Sequence, residues 1–217
     1  GYDDATDGAA GTVYIKDNAQ PEDQATVRID NGGNSGSVAY TVIDKAALQK
    51  DQWLVSNGNN NSIIKLVGDY SAKDSDLLLD GVTVELEGTY NFDQINLQNG
   101  AVIRPTYAID DQSAVLEINA NDVEIASGAA ITVSGRGLLA QDGSGTHFGG
   151  SHGGYGGVYD TYGTPNEPVG DMYAPIEFGR GGVNHQGLAG TRGGGSLYVD
   201  VTGELLLDGV IVADGSY

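Results

Sequence analysis

The stretch that decides the fold reads Leu77-Leu78-Leu79-Asp80-Gly81-Val82-Thr83-Val84, and its pattern returns as Leu205-Leu206-Leu207-Asp208-Gly209-Val210-Ile211-Val212. Each copy consists of a short apolar strand, a polar residue followed by glycine, and a second strand. The glycine supplies the permissive backbone of a corner, and alternation within each strand gives it one inward face. A unit this short cannot bury its own apolar face, so it has to stack on neighbouring units.

Two further stretches follow the same pattern: Ile95-Asn96-Leu97-Gln98-Asn99-Gly100-Ala101-Val102-Ile103, and residues 123–133. The echo from Val82 to Val102 spans 20 residues, which suits one coil of a solenoid. The pattern therefore predicts an all-β chain folded as a right-handed parallel β-helix. The alternative is a β-sandwich or jelly roll, which would place two-residue turns between strands of equal length.

One apolar phase of these strands predicts a continuous interior, because alternate side chains of a strand share a face. The predicted interior residues are Val82, Val84, Ile95, Leu97, Val102, Leu116, Ile118, Val123, Ile125, Ile131, Val133, Val199, Val201, Leu205, Leu207 and Ile211.

Composition and sequence pattern divide the chain into an N-terminal cap or edge region, residues 1–62, and β-helix coils, residues 63–217. The first region holds a predicted short capping helix from Lys45 to Gln52, with Asp44 as its N-cap. The second contains a long glycine-rich insertion, residues 143–195. Because strand pattern resumes directly after it, we expect this segment to be an insertion between coils and not a terminal linker.

The insertion carries 18 of the 35 glycines and six of the sixteen aromatic residues. A loop of this length is uncommon and is usually functional or disordered. Tyrosine offers a large contact area at low entropy cost. The segment is therefore predicted to bind a ligand or partner; the alternative is that its rings only anchor it to the strands. The predicted contact residues are Phe148, Tyr155, Tyr159, Tyr162, Tyr173 and Phe178.

Charge and hydropathy exclude several classes of partner. The formal net charge is −20, so nucleic acid and anionic membranes are repelled. No stretch approaches the roughly 20 apolar residues of a membrane-spanning helix, and no membrane insertion is expected. Calcium is the one cofactor considered, with Asp142 and Asp208 as candidate ligands beside turn glycines. Acidic corners that are merely solvated are the alternative.

Enzymatic readings receive little support. A polysaccharide lyase needs clustered carboxylates beside a basic residue; Arg104, Arg136, Arg180 and Arg192 are available, but no such cluster accompanies them. Glycoside hydrolysis needs two facing carboxylates, which among 30 acids are easy to propose and uninformative. We predict no catalytic residue.

Several glycine-rich runs carry a resemblance: Ser134-Gly135-Arg136-Gly137, Gly149-Gly150-Ser151-His152-Gly153-Gly154, Gly179-Arg180-Gly181-Gly182 and Leu207-Asp208-Gly209-Val210-Ile211. Over residues 77–217 the chain resembles the glycine-rich, pectate-lyase-like β-helix domains of large bacterial and archaeal secreted surface proteins and adhesins. The resemblance implies an extracellular location at the cell surface.

The expected function is accordingly a non-catalytic structural or adhesive surface module that can self-assemble into a filament or surface layer. The alternatives are a carbohydrate-binding β-helix module and, after it, a polysaccharide lyase or glycoside hydrolase-like enzyme. The expected partners are other copies of the chain, other surface-protein domains, and polysaccharide.

Overall fold

The computed structural model describes residues 11–16, 19, 25–30, 40–44, 52–56, 63–67, 76–107, 115–140, 144–145, 148–152, 154–159, 163–165, 167–171, 173, 176–183 and 191–216. All regular elements in these residues are strands. In chain order they are β1 (Gly11–Lys16), β2 (Ala25–Asp30), β3 (Tyr40–Asp44), β4 (Gln52–Ser56), β5 (Ile63–Val67), β6 (Asp76–Asp80), β7 (Thr83–Leu86), β8 (Thr89–Gln98), β9 (Val102–Pro105), β10 (Leu116–Ile125), β11 (Ala130–Thr132), β12 (Ser144–Gly145), β13 (Gly163–Thr164), β14 (Leu197–Val201), β15 (Leu205–Leu207) and β16 (Val210–Val212).

Strands β2 to β11 alternate along the chain between two sheets. The first sheet has the order β1-β2-β4-β6-β8-β10-β14, with β15 also beside β10; the second has the order β16-β11-β9-β7-β5-β3. Strands β2, β4, β6, β8, β10 and β15 form parallel ladders, whereas β1 joins β2 antiparallel. None of the described residues forms a helix that is long and apolar enough to cross a membrane.

The predicted right-handed parallel β-helix is wrong, because these strands form two sheets with an antiparallel edge and do not close into a solenoid. The repeated Asp-Gly corner specifies how a strand of the first sheet leads into the second. It does not specify the connection from the second sheet back to the first. This connection is two residues long between β7 and β8, but between β11 and β14 it extends from Thr132 to Leu197. The alternative of an antiparallel sandwich is not met either, since the ladders are mainly parallel.

The predicted capping helix, Lys45 to Gln52, lies almost wholly outside the described residues. Its predicted N-cap Asp44 ends strand β3, and its last residue Gln52 begins strand β4. No helix occurs in the described residues.

The chain forms two compact units. Unit 1 contains residues 1–104, 117–131 and 199–211, and unit 2 contains residues 105–116, 132–198 and 212–217. The glycine-rich segment 143–195 therefore lies within unit 2, while the predicted boundary at residue 62 stays a prediction.

The core of unit 1 consists of columns of inward side chains held in register. Ile95 lies between Leu77 and Val123, and Leu97 between Leu79 and Ile125; all six are at most 2% exposed. Ten of the sixteen predicted interior residues are buried: Val82, Val84, Ile95, Leu97, Leu116, Ile118, Val123, Ile125, Ile131 and Val133.

Six predicted interior residues are not buried. Val102 is half-buried, and its neighbours Ala101 and Ile103 are buried in its place. The corner after Leu97 contains one residue more than the corner after Leu79, with Asn99 at φ 53° and Gly100 at φ 76°, and this shifts the inward phase. The other five lie on the last three strands: Val199, Val201 and Ile211 are half-buried, and Leu205 and Leu207 are exposed.

The core of unit 2 depends on contact between backbones. Short segments around Gly137, Gly179 and Gly193 donate amide hydrogens to one another's carbonyl groups at 2.8–3.1 Å. A Cβ atom on Gly150 would overlap the carbonyl oxygen of Arg180, and one on Gly193 would overlap the carbonyl of Gly179. Glycine is therefore required here because backbones approach within the space of a side chain.

We expect Ile125→Asp to destabilise unit 1 by about 3–5 kcal/mol, because it places an unpaired charge in a fully buried column. Ser127→Asp is the matched control: it adds the same charge at an exposed turn and should change stability by less than about 0.5 kcal/mol. Urea unfolding followed by circular dichroism measures both. Equal stability of the two variants would show that Ile125 is not interior.

We expect Gly150→Ala to destabilise unit 2 by about 1–3 kcal/mol or more, as is typical of overpacking. The rigid backbone around Gly150 leaves no room for the added methyl group. Gly157→Ala is the control, since an added Cβ there meets nothing within 4 Å. Hydrogen exchange of the Leu138 amide, which bonds the Gly179 carbonyl, reports on unit 2 directly. Unchanged protection in Gly150→Ala would refute the backbone packing.

Candidate functional site

The six predicted contact residues divide into exposed and buried rings. Tyr155, Tyr159 and Tyr173 are 65%, 68% and 89% exposed, whereas Phe148 and Phe178 are 5% and 8% exposed. Tyr162 lies outside the described residues. Unit 2 thus presents tyrosines to solvent and keeps phenylalanines inside; we call Tyr155, Tyr159 and Tyr173 the tyrosine group.

The two phenylalanines have a structural position. Phe178 packs with Leu138 in a buried pair. The backbone of Phe148 forms bridges to both Val158 and Val183, and its carbonyl accepts the Val183 amide at 2.8 Å. Both rings are buried, at 5% and 8% exposure. Neither ring is accessible as a contact surface in this arrangement.

Local hydrogen bonds orient two members of the tyrosine group. The Tyr155 hydroxyl donates to Glu167 Oε2 at 2.6 Å, and this bond, with the carboxylate charge, raises the pKa of Tyr155. The Tyr173 amide donates to Asp171 Oδ1 at 2.8 Å, and the Asp171 amide donates to Glu177 Oε2. These bonds fix the backbone or the hydroxyl while the rings remain in solvent.

Sequence reasoning missed a third aromatic feature of unit 2. Tyr107 is 56% exposed, and the guanidinium carbons of Arg136 and Arg192 lie 4.2 and 4.9 Å from its ring centroid. Arg192 also donates from Nη1 to the Gly137 carbonyl at 2.9 Å. Three of the four arginines named as candidate lyase bases thus have structural contacts, the third being Arg104, whose Nη2 lies 3.0 Å from Glu85 Oε1. Only the Ser-Gly-Arg-Gly pattern could have drawn attention to Arg136.

Unit 1 contains an open cleft of about 270 Å³ on its outer polar rows. Asn119 donates from Nδ2 to Asn91 Oδ1 at 3.2 Å and to Glu117 Oε1 at 3.0 Å. Across the cleft, the Thr202 hydroxyl donates to Asn121 Oδ1 at 3.3 Å. The lining residues are Asn91, Phe92, Asn119, Ala120, Asn121, Asp200 and Thr202. A small apolar floor under amides, a hydroxyl and a carboxylate matches the groups that bind polar small molecules.

The candidate calcium ligands are not brought together by anything described. Asp208 lies exposed at the corner between β15 and β16, and Asp142 lies outside the described residues. Within the described part of the chain, no group of three His, Cys, Asp or Glu side chains could hold a metal ion. Calcium binding therefore stays a prediction.

One carboxyl group has an unusual setting. The pKa of Asp76, at the start of β6, is raised, mainly because burial disfavours its charged form and secondly because Asp93 is also negative. Asp76 lies outside the cleft lined by Asn91 and Asn119.

No protein-family model, no curated protein and no solved structure matches this chain. The resemblance to glycine-rich surface proteins stays a prediction.

Proposed function

We propose that this chain is a non-catalytic structural or adhesive module of an extracellular surface, which acts by presenting aromatic side chains to a partner. The observation that carries the proposal is the exposure of the tyrosine group, at 65–89%, in a unit that buries Phe148 and Phe178. Among the described residues of the glycine-rich segment, the tyrosine rings are therefore exposed and the phenylalanine rings are buried. A ring with a hydroxyl can remain hydrated in the free protein and still bury a large apolar area on contact.

The charge of the chain limits the partner. At a net charge of −20, polyanionic surfaces are repelled, which favours neutral polysaccharide, other surface-protein domains or further copies of the chain. Exposed aromatic residues are enriched at protein contacts because they bury large areas with few rotatable bonds. The fixed Tyr155 hydroxyl lowers the entropy lost on binding.

We expect the triple variant Tyr155→Ser, Tyr159→Ser, Tyr173→Ser to lose adhesion at least tenfold, since losing about 1.4 kcal/mol in total is enough. Beads coated with the chain are tested on insoluble neutral polysaccharide. Tyr198→Ser, which removes a half-exposed tyrosine on β14, is the control and should adhere normally. Adhesion that survives the triple variant, or a parent chain that does not adhere to the polysaccharide, would refute the proposal.

A second candidate function is carbohydrate binding, and the cleft of unit 1 favours it. Asparagine amides offer both donors and acceptors to sugar hydroxyls, and the Asn91–Asn119 hydrogen bond holds two of them side by side. The open shape suits a chain of sugars lying across the strands better than an enclosed small molecule.

We expect Asn119→Ala to weaken binding of neutral oligosaccharides at least fivefold, because it removes an amide from the middle of the cleft. Asn96→Ala is the matched control: Asn96 also lies on an outer row and donates to Glu124 at 2.7 Å, but it does not line the cleft. Isothermal titration with a panel of neutral oligosaccharides measures both. Equal affinities in the two variants would exclude the cleft as the binding site.

A further inference from the structure

The outer face of the first sheet carries polar residues on interior strands such as β8 and β10, whereas apolar runs occur on β1 at one edge and on β15, which shares the other edge with β14. Asn96 on β8 and Glu124 on β10 occupy outward positions between buried residues. On β1, by contrast, Val13, Tyr14 and Ile15 are 54%, 47% and 53% exposed, and on β15 Leu205, Leu206 and Leu207 are 45%, 46% and 45% exposed. We call these two runs the edge triplets. Each is apolar on both faces of its strand.

Such edges are unusual. An edge strand leaves unpaired amide and carbonyl groups, and proteins normally protect it with charge, proline or a covering element. The edge triplets have none of these within their own residues. A strand of this kind is well suited to pair with another strand.

The internal copy of the same sequence shows what β15 resembles. Leu77-Leu78-Leu79-Asp80-Gly81 and Leu205-Leu206-Leu207-Asp208-Gly209 share all five residues. Leu77 and Leu79 are 1% and 0% exposed because β6 has β4 on one side and β8 on the other. Strand β15 pairs with β10, and no strand of the described chain lies on its other side. Its sequence is thus that of an interior strand, but it lacks the second neighbour.

The edge triplets also complement each other face by face. Leu205 and Leu207 are in register with the buried Val123 and Ile125, so they point inward and Leu206 points outward. On β1, Val13 pairs with Arg28, whose neighbour Ile29 is fully buried. Val13 and Ile15 therefore point outward, and Tyr14 points inward. Because residues that lie directly opposite each other in a ladder share a face, a joined sheet would place Tyr14 opposite Leu205 or Leu207 on the inward face and Leu206 opposite Val13 or Ile15 on the outward face.

We infer that copies of this chain join edge to edge, with the β15 edge of one copy beside the β1 edge of the next, so that the first sheet continues from copy to copy. The inference deepens the proposed structural role and rests on it. Because β1 runs opposite to β2 and its parallel partners, copies in the same orientation pair β15 with β1 in antiparallel fashion. A joint between two different surfaces adds copies head to tail, which gives an open filament when the rotation between copies does not close a ring.

Sedimentation velocity of the purified chain tests the inference through two blocked edges. Leu206→Lys charges the β15 edge, and Val13→Lys charges the β1 edge. The parent chain forms a concentration-dependent series of oligomers, which salt promotes because it screens the like charges of the copies. Each variant alone sediments as a monomer. An equal mixture forms one-to-one dimers and nothing larger, because each variant keeps the edge that the other lacks.

Asn96→Lys is the control, since it places the same charge on the outer face of an interior strand, and it should assemble like the parent. Circular dichroism and thermal unfolding establish that each variant is folded; because the two blocks lie on different strands, one folded variant is sufficient to test its edge. A parent that stays monomeric at all concentrations and salt levels overturns the inference, as do oligomers that persist in a folded edge variant. Dimers of Val13→Lys alone would show a β15-to-β15 joint and also overturn it.

The test separates this inference from the proposed adhesive function. The triple tyrosine variant should assemble like the parent chain, because the tyrosine group is not part of either edge triplet. Adhesion without assembly would leave the proposed function standing and overturn the joint, whereas assembly without adhesion would do the reverse.

Discussion

The in-register stacking of like side chains is the constraint on which unit 1 depends. Each inward position continues across strands as a column, of which Leu77, Ile95, Val123 and Leu205 form one. A shift of one residue in any strand would turn the whole inward set outward. The columns therefore determine the register of the strands, and the register determines where each corner lies. Each corner connects a strand of the first sheet to a strand of the second. The same register aligns the outer rows, so the cleft residues Asn91 and Asn119 lie side by side.

Unit 2 meets the same need for a core by another route. Where unit 1 excludes water with branched side chains, unit 2 brings peptide groups together, and amides at Gly137 and Gly179 find carbonyl partners in neighbouring segments. Backbone groups removed from water need such partners. The large apolar side chains that are buried among its described residues include Leu138, Phe148 and Phe178, whereas the tyrosine group is exposed.

The sequence predicted the interior well where a strand has neighbours on both sides, and poorly where the repeat changes length or where the repeated strand lies at an edge. The phase of Leu77, Ile95 and Ile125 follows from simple alternation. Val102 was misplaced because it was aligned with Val82, although the extra residue at Asn99-Gly100 puts Ala101 in that column. A corner of left-handed backbone can absorb one residue without changing the polar-plus-glycine pattern, so no alternation rule could have detected the shift.

The closed solenoid was mispredicted for a related reason. Repeated corners describe local turns, whereas closure depends on connections that carry no repeated pattern. For the candidate site, exposure was the difficult property: Tyr155 and Phe148 lie in the same glycine-rich run, and the sequence offered only the hydroxyl to separate them. The contact of Arg136 and Arg192 with the Tyr107 ring joins residues that are distant in sequence, and so does the cleft of unit 1. Neither can be recognised before the fold is known.

Along the outer rows, the acidic residues cause little repulsion between neighbouring strands, whereas the net negative charge repels other copies of the chain. Along the outer rows, carboxylates face neutral donors: Glu124 accepts from Asn96, Glu117 from Asn119 and Asp80 from Asn99. Like charges placed directly opposite would destabilise the ladder, and these pairings avoid that. The net charge of −20 then opposes the approach of copies over roughly the 8–10 Å of the Debye length. Apolar edge contacts act only at shorter range, so ionic strength would decide whether two edges come close enough to pair.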